Sequence, residues 1–239
     1  MKKTLCSLVC LGALSLNADV LVGVDFLGAS YKEPDGVKYD DKTIFTFNLN
    51  LTDYKINDDS GLTGLLRLGY SAFETDYKTT SIITTNGKTK ANNFYYDLML
   101  GYGFNLSQDD IKHALNILVG FNHQSYENET EAENFAVKVS SKTIVKTNAL
   151  KAGVSYYAIA PNNIFVNAEL FVKNYLDDKR NAFVSKDDEK SKTAVEGDIA
   201  VGYKFNGANS GAYVGLKVGY IDDLMGKGGH YGLTAGYIF

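Results

Sequence analysis

The chain has 239 residues, with 24 Lys and Arg against 28 Asp and Glu and a formal net charge of −4. No basic stripe is available to neutralise phosphates, which argues against a nucleic-acid partner. Both cysteines, Cys6 and Cys10, fall near the start, so the rest of the chain holds neither a disulfide framework nor a thiolate metal site.

Residues 1–18 read as a secretory signal peptide. Lys2 and Lys3 form its charged start, an apolar run extends from Leu5 to Leu16, and Leu16-Asn17-Ala18 places a small residue before the cut. That run falls short of the roughly 20 residues a spanning helix needs. Val9 stands where a lipobox before Cys10 would want Gly or Ala, so cleavage after Ala18 is expected rather than lipidation. The mature chain, residues 19–239, then carries 22 basic residues (24 less Lys2 and Lys3) against 28 acidic, a net −6. It contains no apolar stretch long enough for a membrane helix. Lipid offers backbone amides no partners, so an exported chain of this kind crosses a membrane only as a closed barrel.

The mature chain divides into segments with large apolar groups at every second position, the period of a strand with one greasy face. The first carries Val20, Val22, Val24 and Phe26; the second carries Phe45, Phe47, Leu49 and Leu51, with Thr46, Asn48 and Asn50 between them. Leu62, Gly64, Leu66, Leu68 and Tyr70 form the third, and Phe94, Tyr96, Leu98, Leu100, Tyr102 and Phe104 the fourth. The fifth has Leu115, Ile117, Val119 and Phe121, the sixth Leu150, Ala152, Val154 and Tyr156, the seventh Ile164, Val166, Ala168, Leu170 and Val172. Val195, Gly197, Ile199, Val201, Tyr203 and Phe205 make the eighth, Ala212, Val214, Leu216, Val218 and Tyr220 the ninth. The tenth, Tyr231, Leu233, Ala235, Tyr237 and Phe239, ends on an aromatic carboxylate. An even count of antiparallel strands is what a single-chain bacterial barrel requires. The expected fold is therefore all-β, one antiparallel transmembrane barrel of ten strands, with eight as the alternative if an end pair is mis-assigned.

Connections alternate in length. Compact ones fall at 57–61, 105–112, 160–163 and 206–211; the others cover 32–42, 75–92, 124–147, 176–193 and the shorter 222–229. Short periplasmic turns and longer extracellular loops produce this alternation and put both termini in the periplasm. Pro34 and Pro161 lie in connections, Asn86-Gly87 reads as a hairpin tip, and a single helical turn is expected near Ser107–Ile111. Aromatics on the lipid-facing parity form two girdles: Tyr102, Phe104, Tyr203, Phe205, Tyr237 and Phe239 on the periplasmic side, and Tyr70, Phe94, Tyr220 and Tyr231 on the outer side.

The opposite parity points inward. It carries the acids Asp25, Asp97, Glu169, Glu196 and Asp198 and the bases Arg67, Lys151, Lys173, Lys204 and Lys217, together with Tyr95, Tyr157, Phe165, Phe171 and Tyr213. Interiors of about eight strands are just wide enough for side chains to fill, whereas 16–18-stranded porins leave a channel. Bulky, charge-balanced contents predict a plugged lumen, or a narrow porin-like pore as the alternative.

Chemistry-bearing residues are few. His113, His123 and His230 supply the general bases available near neutral pH. His113 falls at a short turn, His123 has lipid-facing parity, and His230 points inward beside Asp222 and Asp223 on the last outer connection. An Asp–His pair at the rim resembles the omptin proteases, which are also ten-stranded, but the second acidic pair of that family has no counterpart here. No Gly-x-Ser-x-Gly elbow or His-x-x-x-His zinc pair is present, and the acidic runs at 127–133 and 187–189 lack EF-hand spacing. Neither a catalytic set, a metal nor a cofactor is expected.

Across the mature chain, the signal peptide, the ten segments and the terminal Tyr-Ile-Phe resemble small Gram-negative outer-membrane β-barrel proteins, the OmpA/OmpX-like or porin-like superfamily. Tyr231, Leu233, Ala235, Tyr237 and Phe239 resemble the β-signal read by the barrel-assembly machinery. The resemblance implies outer-membrane localisation, contact with membrane lipid and lipopolysaccharide, and an extracellular ligand for the loops. The absence of Trp is a departure, with Tyr and Phe forming the girdles instead.

Overall fold

The computed structural model describes residues 20–32, 44–56, 59–80, 84–133, 138–176, 193–205, 210–223 and 226–238. The expected signal peptide, its cleavage after Ala18, Pro34, the acidic run at 187–189 and Phe239 lie outside these. Period-two alternation becomes ten strands: β1 Val20–Lys32, β2 Ile44–Asp53, β3 Gly61–Thr80, β4 Thr84–Asn105, β5 Lys112–Glu133, β6 Lys138–Ile159, β7 Ile164–Tyr175, β8 Thr193–Lys204, β9 Gly211–Asp223 and β10 Gly226–Ile238. Each pairs antiparallel with its sequence neighbours, and β1 closes on β10 from Leu21↔Ile238 to Lys32↔Lys227. No sheet edge remains within the closed ladder, so its backbone groups are satisfied without water.

All ten expected parities hold. Leu216, at the middle of β9, and Tyr231 on β10 are each 67% exposed, while Lys217 between β8 and β10 is buried. The outer aromatic positions Tyr70, Phe94, Tyr220 and Tyr231 are exposed at one end, and Tyr102, Phe104, Tyr203, Phe205 and Tyr237 at the other. Large apolar groups face out and polar groups face in, the reverse of a water-soluble fold, as lipid on one side demands.

Four strands are longer than a bilayer needs. β3 has 20 residues and β4, β5 and β6 have 22 each, against about 9–11 for a span. The stretches expected as connections at 75–92 and 124–147 are therefore mostly strand, and together they build a four-stranded sheet that rises beyond the apolar band. Asn86-Gly87 is not a hairpin tip: Asn86 pairs with Lys78, and the ladder runs on to Thr80↔Thr84. Register explains this. Arg67 stands opposite Asp97; a tip at 86–87 would slide β4 by an odd number of residues and turn its greasy face inward. Opposite charges fix the same extension. Lys88 bonds Glu74, Lys142 reaches Glu127 at 2.6 Å and Lys138 reaches Glu131 at 3.4 Å. The polarity of these stretches resembles that of loops, but their charges alternate in sign from strand to strand.

The Lys88 hydrogen bond holds the Glu74 carboxyl below its ordinary range, and the bond to Glu127 raises the Lys142 ammonium. A depressed carboxyl stabilises the fold above its unfolded pKa and loses that contribution as pH falls through the folded value; a raised lysine loses its contribution as pH climbs through its folded value. This ladder is thus strongest between the carboxylate and ammonium ranges.

The expected helical turn near Ser107–Ile111 is instead a two-residue hairpin turn. Gln108 and Ile111 exchange both backbone bonds, at 3.1 and 3.0 Å, with Asp109 in the left-handed region at φ 49°. A short polar side chain tolerates that conformation. The connection expected at 222–229 is likewise nearly all strand, β9 running to Asp223 and β10 starting at Gly226.

The parity carries a direct test. Leu216→Arg, mid-strand on the outer face, should cost about 2–4 kcal/mol in lipid vesicles, read by urea unfolding. An unchanged midpoint would mean that this face does not meet hydrocarbon.

Candidate functional site

Inside the barrel the polar parity assembles one ion-pair and hydrogen-bond network. All ten charges expected in the lumen point inward, and Glu196 and Asp198 alone of them keep part of their surface open, toward the recess described below. Every strand supplies at least one member.

The network starts at β10. His230 bonds Asp198 on β8, whose other oxygen lies 3.2 Å from Lys217 on β9. Lys217 also reaches Asp25 on β1 at 2.9 Å. On β2, Asn50 donates to Asp25 at 3.0 Å and accepts from Arg67 Nε at 2.8 Å, while Asn48 donates to Asp25 and accepts from Tyr95. The Arg67 guanidinium then crosses the lumen from β3 to Glu169 on β7 and lies 3.9 Å from Asp97 on β4. Asp97 takes Lys151 of β6 at 2.6 Å and Asn122 of β5 at 2.6 Å. Lys151 also contacts Glu196, which holds Lys173 at 2.7 Å.

Two like-charge neighbours show why the links must cross the lumen. Lys151 and Lys173 are direct partners between β6 and β7, and Glu169 and Asp198 are direct partners between β7 and β8. Directly opposed like charges destabilise a ladder. Glu196 sits against both lysines, and Arg67 and Lys217 each neutralise one of the acids. Gly219 makes the His230 contact geometrically feasible. It is the register partner of both Asp198 and His230, and a Cβ there would fall 2.2 Å from Asp198 Oδ1 and 2.7 Å from His230 Nε2.

Below this layer, toward the end bearing the short turns, the lumen is aromatic. Tyr54 packs on Tyr157 with centroids 4.8 Å apart, Tyr157 stacks on Phe165 at 6.0 Å, and Phe165 meets Tyr213 edge-on at 5.2 Å. Tyr157, Phe165 and Tyr213 carry the expected inward parity; Tyr54 is new. It belongs to residues 54–56, which leave β2 and fold into the mouth, burying Tyr54, Lys55 and Ile56. Lys55 adopts φ 47° and its ammonium lies 2.9 Å from Asp53. Thr63 and Asn116 donate to the Asp53 carbonyl at 2.5 and 3.0 Å and hold the turn there. The one sequence signal was an apolar pair, Tyr54 and Ile56, in what otherwise reads as a polar turn.

Among the described residues, two spaces lie along the lumen, their volumes including open solvent. A recess of about 430 Å³ is lined by Leu27, Asn48, Tyr95, Glu196, Asp198 and His230 among others. A second space of about 380 Å³ is lined by Asp25, Asn50, Glu169, Tyr213 and Lys217 among others. Arg67 borders both.

The histidines distribute differently from a catalytic set. His113 opens β5 and meets the Tyr156 hydroxyl at 3.3 Å; His123 bonds Asn148 at 2.8 Å on the outer face. His230 is inward as expected and bonds Asp198 across Gly219. Asp222 and Asp223 are the acids expected beside it. Those two belong to β9, where their backbones pair with Lys227 and Gly226, and their side chains lie outside the described residues. The Asp198 carboxylate, which would orient an imidazole in a hydrolase, is shared with Lys217. Among the described residues no group of three or more His, Cys, Asp and Glu is arranged to hold a metal ion.

Lys151→Met removes the cation between Asp97 and Glu196 and leaves both carboxylates short of charge. Breaking a buried pair costs about 3–5 kcal/mol, so the urea midpoint of the refolded barrel should drop by that equivalent; a wild-type midpoint would show that the lumen is solvated enough to do without the pairs.

No family model and no curated protein matches this sequence. Among solved structures, Ail, the attachment invasion locus protein of Yersinia pestis, is similar at 18% identity over 94% of this chain and 100% of that one, with a TM-score of 0.38. Ail in complex with the heparin analogue sucrose octasulfate gives 16% identity, 94% and 100% coverage and a TM-score of 0.40. The translocator domain of autotransporter NalP from Neisseria meningitidis gives 11% identity, 100% and 97% coverage and a TM-score of 0.49. Likenesses of this size bear on neither activity nor partner. The closed ladder, the apolar exterior and the polar interior of the chain itself are those of a small outer-membrane β-barrel protein.

Proposed function

We propose that this is a non-enzymatic surface protein of the outer membrane, whose sealed barrel anchors the β3–β6 sheet and the long connections for contact with an extracellular partner. The observation that carries the reading is the double closure of the lumen: an ion-paired and hydrogen-bonded layer drawn from all ten strands above, and the Tyr54–Tyr157–Phe165–Tyr213 stack below. A conduit would need a continuous wet path, yet the Arg67 guanidinium that borders both spaces reaches across the lumen to Glu169. A hydrolase would need a carboxylate free to steer His230, yet Asp198 is shared with the Lys217 ammonium. In this reading the termini are periplasmic, the long strands point outward, lipopolysaccharide surrounds the outer girdle, and the barrel-assembly machinery reads the β10 aromatics.

Planar-bilayer recording on the refolded full-length barrel tests this. The expected result is no steady current above the bare membrane. A large, steady, ion-selective conductance would replace the anchor with a narrow pore.

A further inference from the structure

The β8–β9 ladder stops short of both its strands. Its last register pair at the outer end is Gly197↔Tyr220. Yet β8 stays paired with β7 up to Thr193, and β9 stays paired with β10 up to Asp223. Val195 and Glu196 thus continue their strand without a register partner on β9, and the wall forks there. The fork begins at Tyr220, a member of the outer girdle, which puts it where outer-leaflet headgroups meet water. Backbone that leaves its ladder at a membrane is tolerated only beside protein or a wet cavity. The recess of about 430 Å³ supplies one, because Glu196 on one side of the fork and Ile221 on the other both line it.

At the foot of the fork the wall is thin. Gly197 takes the outward position between Leu170 and Tyr220, and Gly219 takes the inward position between Asp198 and His230. No side chain stands outside at the first or inside at the second. The outer wall therefore carries a shallow groove at Gly197 that leads up from the lipid-facing surface to the fork.

The recess suits a cation with an apolar stem. The Glu196 and Asp198 side chains keep 12% and 15% of their surface exposed, whereas Lys151, Lys173 and Lys217, which neutralise them, keep 5% or less. Carboxylates thus face the space and the ammoniums stand behind them. Arg67 also borders it, but its guanidinium is committed to Asn50 and Glu169. A carboxylate oxygen has two lone pairs, so each can accept a further donor besides its lysine or His230. Leu27, Tyr95 and Ile221 add apolar and aromatic surface, on which an alkylammonium packs well.

We propose that the recess binds the ammonium head of a single-chain amphiphile, which enters sideways from the outer leaflet through the β8–β9 fork. The head donates to the Glu196 and Asp198 carboxylates, and the alkyl chain stays in the groove at Gly197. No member of the ion-paired layer has to leave its place. The Arg67–Glu169 crossing floors the recess, so the site is a pocket and not a passage. A lipid-like amine is favoured over a water-soluble one because the fork opens at headgroup level and its groove runs down the lipid-facing wall.

The test uses the refolded, amide-labelled full-length barrel in nanodiscs of zwitterionic lipid, titrated separately with dodecylamine, dodecanol and butylamine. Dodecylamine should shift the amide signals of Glu196, Gly197, Asp198, Tyr220 and Ile221 and leave those of Tyr157 and Phe165 in place. Dodecanol, equally apolar but uncharged, should bind about tenfold more weakly, the worth of one charge-assisted hydrogen bond. Butylamine has the head without a chain to hold it in the leaflet, and should shift nothing at the same concentration. Ile221→Trp fills the recess from the fork side and should abolish binding, with folding unchanged by heat-modifiable gel mobility. If that variant fails to fold, Val195→Trp, on the exposed outer side, covers the same fork and serves in its place. No shifts with dodecylamine, equal binding of dodecanol, or binding that survives the tryptophan overturns the proposal. Butylamine binding as tightly as dodecylamine would put the occupant on the aqueous side and overturn the sideways route. A conducting barrel would sink the sealed anchor and leave the amine site standing.

Discussion

Charge pairing across the lumen is the interaction on which the rest of this structure depends. A charge taken out of water without a partner is costly, and here nine of the ten lumen charges named from parity enter two sets of ion pairs that Asn50 joins by bonding both Asp25 and Arg67. Its members are far apart in sequence. Asp25 and Lys217 are separated by 192 positions and meet only because β1 closes on β10. Closure and pairing are therefore one event: an open sheet would strand the charges, and a mis-registered barrel would set like charges against one another. The network favours one strand order and one register over their alternatives.

The narrow interior follows from the same constraint. Ionic side chains span the lumen only if the opposite wall is close, and glycine clears the way for selected contacts along the wall. Gly219 gives His230 passage to Asp198, and Gly103 leaves room for the Lys55 stem, which lies 2.9 Å from where a Cβ would stand. The aromatic layer then fills the cross-section that charges do not. The outside needs no such specificity: lipid accepts any large apolar group, and Leu216 or Tyr231 requires only the right parity.

Parity explains what was legible in the sequence. A period of two is local, so the ten strands, the two girdles and the inward identity of Asp25, Arg67, Asp97, Lys151, Glu169, Lys173, Glu196, Asp198, Lys204 and Lys217 could all be read from alternation. Partnership is not local. That Arg67 takes Glu169, or that His230 takes Asp198 from two strands away, depends on stagger and closure, which alternation does not encode. Strand length failed for another reason: beyond the apolar band the outward face of β3–β6 carries charges such as Glu74, Lys90, Glu129 and Lys142, so the regular apolar signal stops where the strands continue. Asn86-Gly87 misled because a strong turn dipeptide was outweighed by the register that Arg67 and Asp97 impose. Tyr54–Ile56 escaped because a turn folding back into its own barrel has no periodic signature.

A double-mutant cycle on Arg67 and Glu169 tests the central claim most directly. Each single replacement, Arg67→Met or Glu169→Leu, leaves one charge unbalanced in the lumen; the pair together removes both. Measured by urea unfolding in lipid vesicles, the account predicts that the double variant regains most of the stability lost by either single, a coupling on the order of 1–3 kcal/mol. Strictly additive losses would show that these charges are solvated independently and that the lumen is not held by their pairing.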